Sequence, residues 1–278
     1  MKYEKIELKN HFSFLGENDC NPTLEIYLPE VYPGANTGYN KRPCMLVCPG
    51  GGYSMCSERE AEPIAFHFLP EGYNVFVLTY SVAPKRFPTQ IREVAAAMEL
   101  IYSNAEEWHC DTEKVAIIGF SAGGHLAAHY STMFDCKEVR EVFPDSKSVN
   151  ASILSYPVIT ADFEHAHKGS FLNLIGHAPE NKEEQDYFSC DCQVDKNTPP
   201  AFIWHTASDT CVPVKNSLLY ANALTEYNIP VELHIYPFGQ HGLSTCDKHT
   251  LDDVTPEITH NNMWLTSVKS WLKLIFKN

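Results

Sequence analysis

Positive charge is scarce in this sequence. Lysine and arginine total 21 against 35 aspartate and glutamate, a formal charge of −14 over 278 residues. A chain that binds a nucleic-acid backbone needs a basic face to displace counterions, and this balance supplies none. Long apolar runs are missing too, with no stretch near the ~18 consecutive apolar residues of a membrane span. Neither nucleic acid nor membrane is therefore an expected partner. Residues 1–10 mix charged with apolar side chains and lack the continuous apolar core of a signal peptide. A cytoplasmic location is the matching expectation. Internal repeats, heptads and low-complexity tracts are absent, whereas 44% hydrophobic and 20% charged residues are ordinary for a folded domain.

Cysteine is not scarce: there are ten. They are scattered, and Cys44, Cys48 and Cys110 lie in or beside apolar runs, where a reduced thiol packs as a small core residue. All ten read as free thiols of a reducing compartment. Cys190 and Cys192 form the one tight pair, with a single residue between them in place of the two-residue gap of a zinc site, and read as solvent-side thiols. No metal or organic cofactor is expected.

Short apolar runs alternate with helical patterns through most of the chain. Strands are expected at residues 5–9 and 23–28, then 44–48, 74–80, 114–118, 151–156, 201–205 and 231–236; helices are expected at 61–69, 89–107, 122–134, 214–227 and 262–276. Continuous apolar runs of Val, Ile and Leu suit strands buried on both faces of a parallel sheet. Residues 32–42, rich in Pro, Gly and Asn, read as a loop. The pattern predicts one α/β domain over residues 1–278, a three-layer sandwich with a mostly parallel central sheet and helices on both faces. Residues 160–199 break the rhythm. They are polar and weakly periodic, and an insertion of that length between two strands reads as a cap or lid.

The strongest chemical signal is Gly119-Phe120-Ser121-Ala122-Gly123 between a strand and a helix. A serine pushed out of so tight a turn needs small neighbours two residues to either side, and glycine stands at both. Ser121 is the candidate nucleophile. His125 and His129 follow at one and two turns along the same helix; lacking a third ligand, they read as satisfied structural histidines. Pro49-Gly50-Gly51-Gly52-Tyr53 ends an earlier strand. It lacks the Gly-Lys-Ser/Thr of a phosphate loop and the spacing of a dinucleotide fingerprint. It suits an oxyanion hole, with N–H groups from Gly51 or Gly52 and from Ala122 as donors. Asp209 and His241 each follow a strand and come after the serine in the order acid, then base. His241 is the candidate base and Asp209 the residue that orients it, with Asp162, Asp191 and Asp247 as rival acids. His205 and His234 lie within strands and are expected to be committed to the sheet faces. Trp204 is assigned to core packing. Tyr53 and Arg59 are candidate substrate contacts, with an ion pair to Glu58 or Glu62 as the equal alternative for Arg59.

With these residues placed, the chain resembles the esterase/lipase branch of the α/β-hydrolases. That branch includes hormone-sensitive-lipase-like enzymes and small carbohydrate acetylesterases. The motifs are Cys48-Pro49-Gly50-Gly51-Gly52-Tyr53, Tyr80-Ser81-Val82-Ala83-Pro84, Gly119 through Ala127, and Ser208-Asp209-Thr210-Cys211-Val212-Pro213 with His241-Gly242. Pro49 stands where the lipases usually have histidine, and Ser81 where they usually have arginine. With Ser57-Glu58-Arg59-Glu60-Ala61-Glu62, these departures are similar to bacterial acetylesterases that often carry a xylanase label. The resemblance implies hydrolysis of short acyl esters, acetyl above all, of small molecules or oligosaccharides such as acetylated xylan. Glycosidic cleavage would need a pair of carboxylates that nothing in the sequence marks. An amide hydrolase such as a formamidase, and a non-catalytic binding protein on the same scaffold, are the alternatives. Oligomeric state is open, a homodimer included.

Overall fold

The computed structural model describes residues 1–30 and 41–277; most of the loop expected at 32–42 lies outside the described residues. Eight strands form one sheet: β1 Lys2–Glu7, β2 Thr23–Leu28, β3 Arg42–Cys48, β4 Asn74–Thr79, β5 Cys110–Phe120, β6 Ala151–Ser155, β7 Ala201–Thr206 and β8 Val231–Tyr236. Their order is β1-β2-β4-β3-β5-β6-β7-β8. The β1–β2 and β2–β4 pairs are antiparallel, and every pair from β4–β3 to β7–β8 is parallel. The first strand begins and ends earlier than its apolar pattern indicated, because Leu8–Asn10 turns away as a short 3-10 helix that buries Leu8.

Nine helices lie among the described residues: α1 Glu62–Phe68, α2 Thr89–Ser103, α3 Ala122–Met133, α4 Lys137–Arg140, α5 Lys168–Ile175, α6 Lys182–Phe188, α7 Lys215–Glu226, α8 Pro256–Asn261 and α9 Met263–Ile275. Strand side chains alternate between two cores. Cys44 and Leu46 of β3 and Val115 and Ile117 of β5 join α2, α3 and α7 on one face. Met45, Val47, Ala116 and Ile118 join α1 and α9 on the other, through Ile64, Phe68, Trp264 and Leu272. Burial of both faces is why the inner strands are largely apolar, and it makes the architecture a three-layer α/β sandwich. No helix among the described residues is long and apolar enough to cross a membrane.

The region 160–199 holds α5, α6 and a 3-10 turn at Cys190–Gln193. It is pinned to the body at several points. Asn173 Nδ2 donates to Gly52 O at 2.8 Å, Phe87 N to Leu174 O at 2.8 Å, and Arg86 to Asn173 O. Cys190 is buried with its thiol directed at His125 O, so of the expected solvent-side pair only Cys192 is exposed. The bend that follows α6 turns the first of the two inward.

Candidate active site

Five loops leave the carboxyl ends of the parallel strands β3, β5, β6, β7 and β8 and meet at one edge of the sheet, the edge at which open α/β sheets build their sites. Ser121 follows β5 directly and has φ 54° and ψ −118°. A non-glycine residue held there costs on the order of 1–3 kcal/mol and persists only where its surroundings impose it. Here they do. Ser121 N donates to Ser155 O at 3.0 Å, while Ser121 O accepts from Val158 N at 3.0 Å and His125 N at 3.1 Å. Gly119 and Gly123 are required by contact, because a Cβ on Gly119 would lie 2.1 Å from Gly123 O and one on Gly123 would lie 2.2 Å from Cys48 O.

His241 sits five residues beyond β8. Its Nε2 is 2.7 Å from Ser121 Oγ, and its Nδ1 is 2.6 Å from Asp209 Oδ2. A carboxylate only accepts, so Nδ1 carries the hydrogen and Nε2 presents a lone pair to the serine hydroxyl. Asp209 is buried. Burial alone would favour its neutral form, yet hydrogen bonds from His205 and His241, the charge of His241 and the Val212 N–H together hold its carboxyl well below the usual range. Its other oxygen accepts from Cys211 N at 2.8 Å and Val212 N at 2.9 Å. Of the rival acids, Asp162 Oδ1 accepts from Glu164 N and Asp247 Oδ1 from His249 N. Asp191 Oδ1 is buried without a hydrogen-bond partner among the described residues.

The glycine loop runs beside the serine. Gly50 N donates to Glu60 Oε2 at 2.9 Å, and Gly51 O accepts from Ser54 N and Met55 N. Gly51 has φ 129°, a conformation that glycine adopts without steric cost. Among the described residues no protein acceptor takes the N–H of Gly51, Gly52 or Ala122, and Ala122 opens α3, whose dipole favours negative charge there. Gly51 and Gly52 border a cavity of about 630 Å³ that also takes in Ser121, His241, Arg59, His167 and Cys211. Arg59 lines it and donates to Thr250 O at 3.3 Å. That bond to a carbonyl, in place of an ion pair with Glu58 or Glu62, leaves the guanidinium charge without a carboxylate in contact among the described residues.

Tyr53 needs a correction. It is fully buried, with its hydroxyl 2.8 Å from His125 Nδ1, and so it presents no face to the cavity. His125 Nε2 points at Phe188 O at 2.9 Å and must donate, so Tyr53 donates to Nδ1. Tyr53 and His125 thus fasten the glycine loop to α3. Trp204 is buried and donates from Nε1 to Ser155 Oγ at 2.7 Å, in keeping with its assignment to the core.

Four site residues escaped the sequence reading. His205, at the end of β7, is buried; its Nε2 faces Asp209 Oδ2 at 3.2 Å and Val212 O at 3.0 Å, and its Nδ1 meets Ser217 Oγ at 2.8 Å. The four-residue step to Asp209 was the available signal. Glu60 and Tyr156 form a buried pair behind the glycine loop, 2.6 Å apart; no local pattern joins residues 96 positions apart. His167 comes from the 160–199 region and lies against Gly52, with Nδ1 2.8 Å from Ser170 Oγ. Burial, and then the charge of His241, lower its pKa.

The model of the BD-FAE family matches residues 24–224. The chain is 39% identical over 242 residues to a Butyrivibrio fibrisolvens protein named endo-1,4-beta-xylanase B, covering 83% of this chain and 37% of that protein. It is 34% identical over 229 residues to an acetylxylan esterase of Xylanibacter ruminicola, covering 81% and 44%. The chain spans less than half the length of either relative. Among solved structures, the acetyl ester-xyloside bifunctional hydrolase of Caldicellulosiruptor lactoaceticus superposes with a TM-score of 0.84 at 32% identity, over 98% of this chain and 96% of that one. An α/β hydrolase from a deep-sea metagenome, MGS-M1, superposes at 0.78 and 32% identity over 100% and 99%.

Proposed function

The chain belongs to the BD-FAE family of α/β hydrolases, and from that premise we propose that it is a serine hydrolase of short acyl esters, acetyl esters of carbohydrate above all. The observation that carries this reading is the continuous relay from Ser121 Oγ through His241 to Asp209, beside N–H groups with no protein acceptor among the described residues. Ser121 gives its proton to His241 Nε2 as its oxygen attacks the acyl carbon. The oxyanion that forms is received by Ala122 N–H and by Gly51 or Gly52 N–H. His241 returns the proton to the departing alcohol; water, deprotonated by the same ring, then releases the acid and Ser121. Asp209 holds the ring in the required tautomer and stabilises it when charged.

Substrate class rests on the lining and on the relatives. Ser54, Ser57, Arg59 and His167 give the cavity hydroxyl and charged groups suited to sugar oxygens, and the relatives named above include an acetylxylan esterase. The 160–199 region acts as a cap that supplies His167. Ten free thiols, two of them exposed, support a reducing, cytoplasmic setting. A panel of nitrophenyl esters from acetate to octanoate, with acetylated xylan, tests the proposal. Rates should fall steeply beyond butyrate, and Ser121→Ala should lose at least ~1000-fold. Faster cleavage of a formamide than of the acetate would move the assignment to amide hydrolysis, and equal rates on long chains would remove the acetyl preference.

A further inference from the structure

The region behind the oxyanion loop contains a carboxylate that the proposed reaction does not use. Glu60 ends a 3-10 turn, Glu58–Glu60, and is only 3% exposed. Both of its oxygens are occupied. Oε2 accepts from Gly50 N at 2.9 Å, and Oε1 accepts from Tyr156 Oη at 2.6 Å. Gly50 is clamped from its other side by Ser57 N, which donates to Gly50 O at 2.9 Å. The approach is close enough that a Cβ on Gly50 would lie 2.6 Å from Glu60 Oε2.

Tyr156 carries the connection onward. Its oxygen also accepts from Ser244 N at 2.9 Å, and Ser244 Oγ donates to Arg59 O at 2.5 Å. Ser244 lies three residues after His241, so the loop that carries the base is tied twice to the turn that carries Glu60. The Tyr156 ring meets the His241 ring edge-on at a centroid distance of 5.1 Å. Tyr156 itself is fixed by Tyr156 N donating to Trp204 O at 2.7 Å, directly after the strand end that holds Ser121 N.

We propose that Glu60 is a positioning residue that sets the oxyanion loop and the His241 loop relative to one another through Tyr156, so that the donors and the base are placed as one unit. The proposal rests on the serine-hydrolase reading. A buried carboxylate is costly, and here it serves one backbone donor of the glycine loop and one hydroxyl of the base side. A neutral amide at this position cannot reproduce the pattern, because both incoming groups donate and an amide offers only one acceptor oxygen. Apolar packing would fill the same space without aligning either loop.

Glu60→Gln, Tyr156→Phe and the double variant test the idea. Two readouts apply: kcat and KM on nitrophenyl acetate, and the rate at which a fluorophosphonate labels Ser121. Each single variant should lower kcat about 10- to 100-fold with KM within about twofold, and should slow labelling in parallel, since labelling uses the same base and donors. The double variant should lose little more than either single one, because the two residues act in one chain of hydrogen bonds. Melting curves show which variants are folded. Should Glu60→Gln fail to fold, Tyr156→Phe decides the matter by the same two rates. Folded variants with rates within twofold of the parent, or losses that multiply in the double variant, would reduce Glu60 to a core staple and end the proposal. A parent protein that is labelled at Ser121 yet cleaves no ester would sink the substrate assignment, with the labelling rates still deciding the role of Glu60.

Discussion

His205 reaches Asp209 Oδ2 at 3.2 Å, the same oxygen that His241 meets at 2.6 Å. Asp209 is therefore held between two imidazoles, one buried beneath it and one facing the cavity. Two N–H donors on one oxygen fix the carboxylate plane against rotation, so His241 finds its partner oxygen already oriented. His205→Phe keeps an aromatic ring in the buried slot and removes the lower donor. It should lower kcat/KM about 10-fold, the order expected from one charge-assisted hydrogen bond, whereas Asp209→Asn should cost about 10³- to 10⁴-fold through the wrong tautomer of His241. Steady-state kinetics on nitrophenyl acetate check both, and an unaffected His205→Phe enzyme would show that His241 needs no help in orienting the acid.

The turn at Ser121 makes a steric prediction. Gly123→Ala drives a methyl group to within 2.2 Å of Cys48 O and 2.3 Å of Pro49 O, both backbone atoms that cannot rotate away. The start of α3 must then move from β3, taking Ala122 N–H with it. Activity should fall by at least about 100-fold, since removal of one oxyanion donor alone costs about 10²–10³. Gly16→Ala, whose new Cβ would meet nothing nearer than Lys9 Cβ at 3.5 Å, is the control and should leave kcat unchanged.

Legibility of the site follows the range of the forces that build it. The clashes at Gly119 and Gly123 arise within a few residues of Ser121, so they leave a compact mark in the sequence. Asp209 and His241 stand just past strand ends, and the order of strands brings such positions to one edge. Tyr53 was misjudged because a residue after three glycines can face either side of the loop, and only the His125 acceptor 72 positions away decides it. Glu60 sits among Glu58, Arg59 and Glu62, and nothing in the local sequence sets it apart from its charged neighbours. Its burial depends on Tyr156, which lies beyond β5 and α3. The helices of 160–199 were obscured because they are short, at eight and seven residues, and rest on tertiary contacts more than on their own periodicity.

Two buried histidines on α3 give the fold a pH dependence of definite sign. Burial carries the His125 pKa down to about 4, against a pull upward from Phe188 O, and burial, aided by His125, also drives His129 well below the usual range. Below the ordinary value near 6.5 the unfolded chain binds protons at these rings that the folded chain refuses. Stability is thus present above about 6.5 and lost as pH falls toward 4, with a ceiling of about 3 kcal/mol from His125. Glu93 opposes this. Burial raises its carboxyl to about 7 in spite of hydrogen bonds from Ser81, so its protonation favours the folded chain as pH falls from about 7 to 4.5. Urea unfolding at pH 4, 5, 6 and 7 should show a flatter profile for His125→Gln and a steeper one for Glu93→Gln. Parallel profiles for all three proteins would refute the assignment.

His167 should act on the alcohol portion of the substrate. It enters the cavity from the 160–199 region, beside Gly52, and its Nδ1 is held by Ser170. His167→Ala should raise KM for an acetylated xylo-oligosaccharide by about 2- to 10-fold, the worth of one hydrogen bond, with nitrophenyl acetate little changed. Equal effects on both substrates would place His167 in the acyl chemistry instead.

The bond from Asn173 to Gly52 O has a wider meaning for how the cavity works. A peptide whose oxygen is held by α5 cannot tilt freely without that helix, so α5 and the glycine loop share a mechanical link. On the proposed reading, the recess stands ready before an ester arrives, and selectivity among acyl groups follows from fit to that shape.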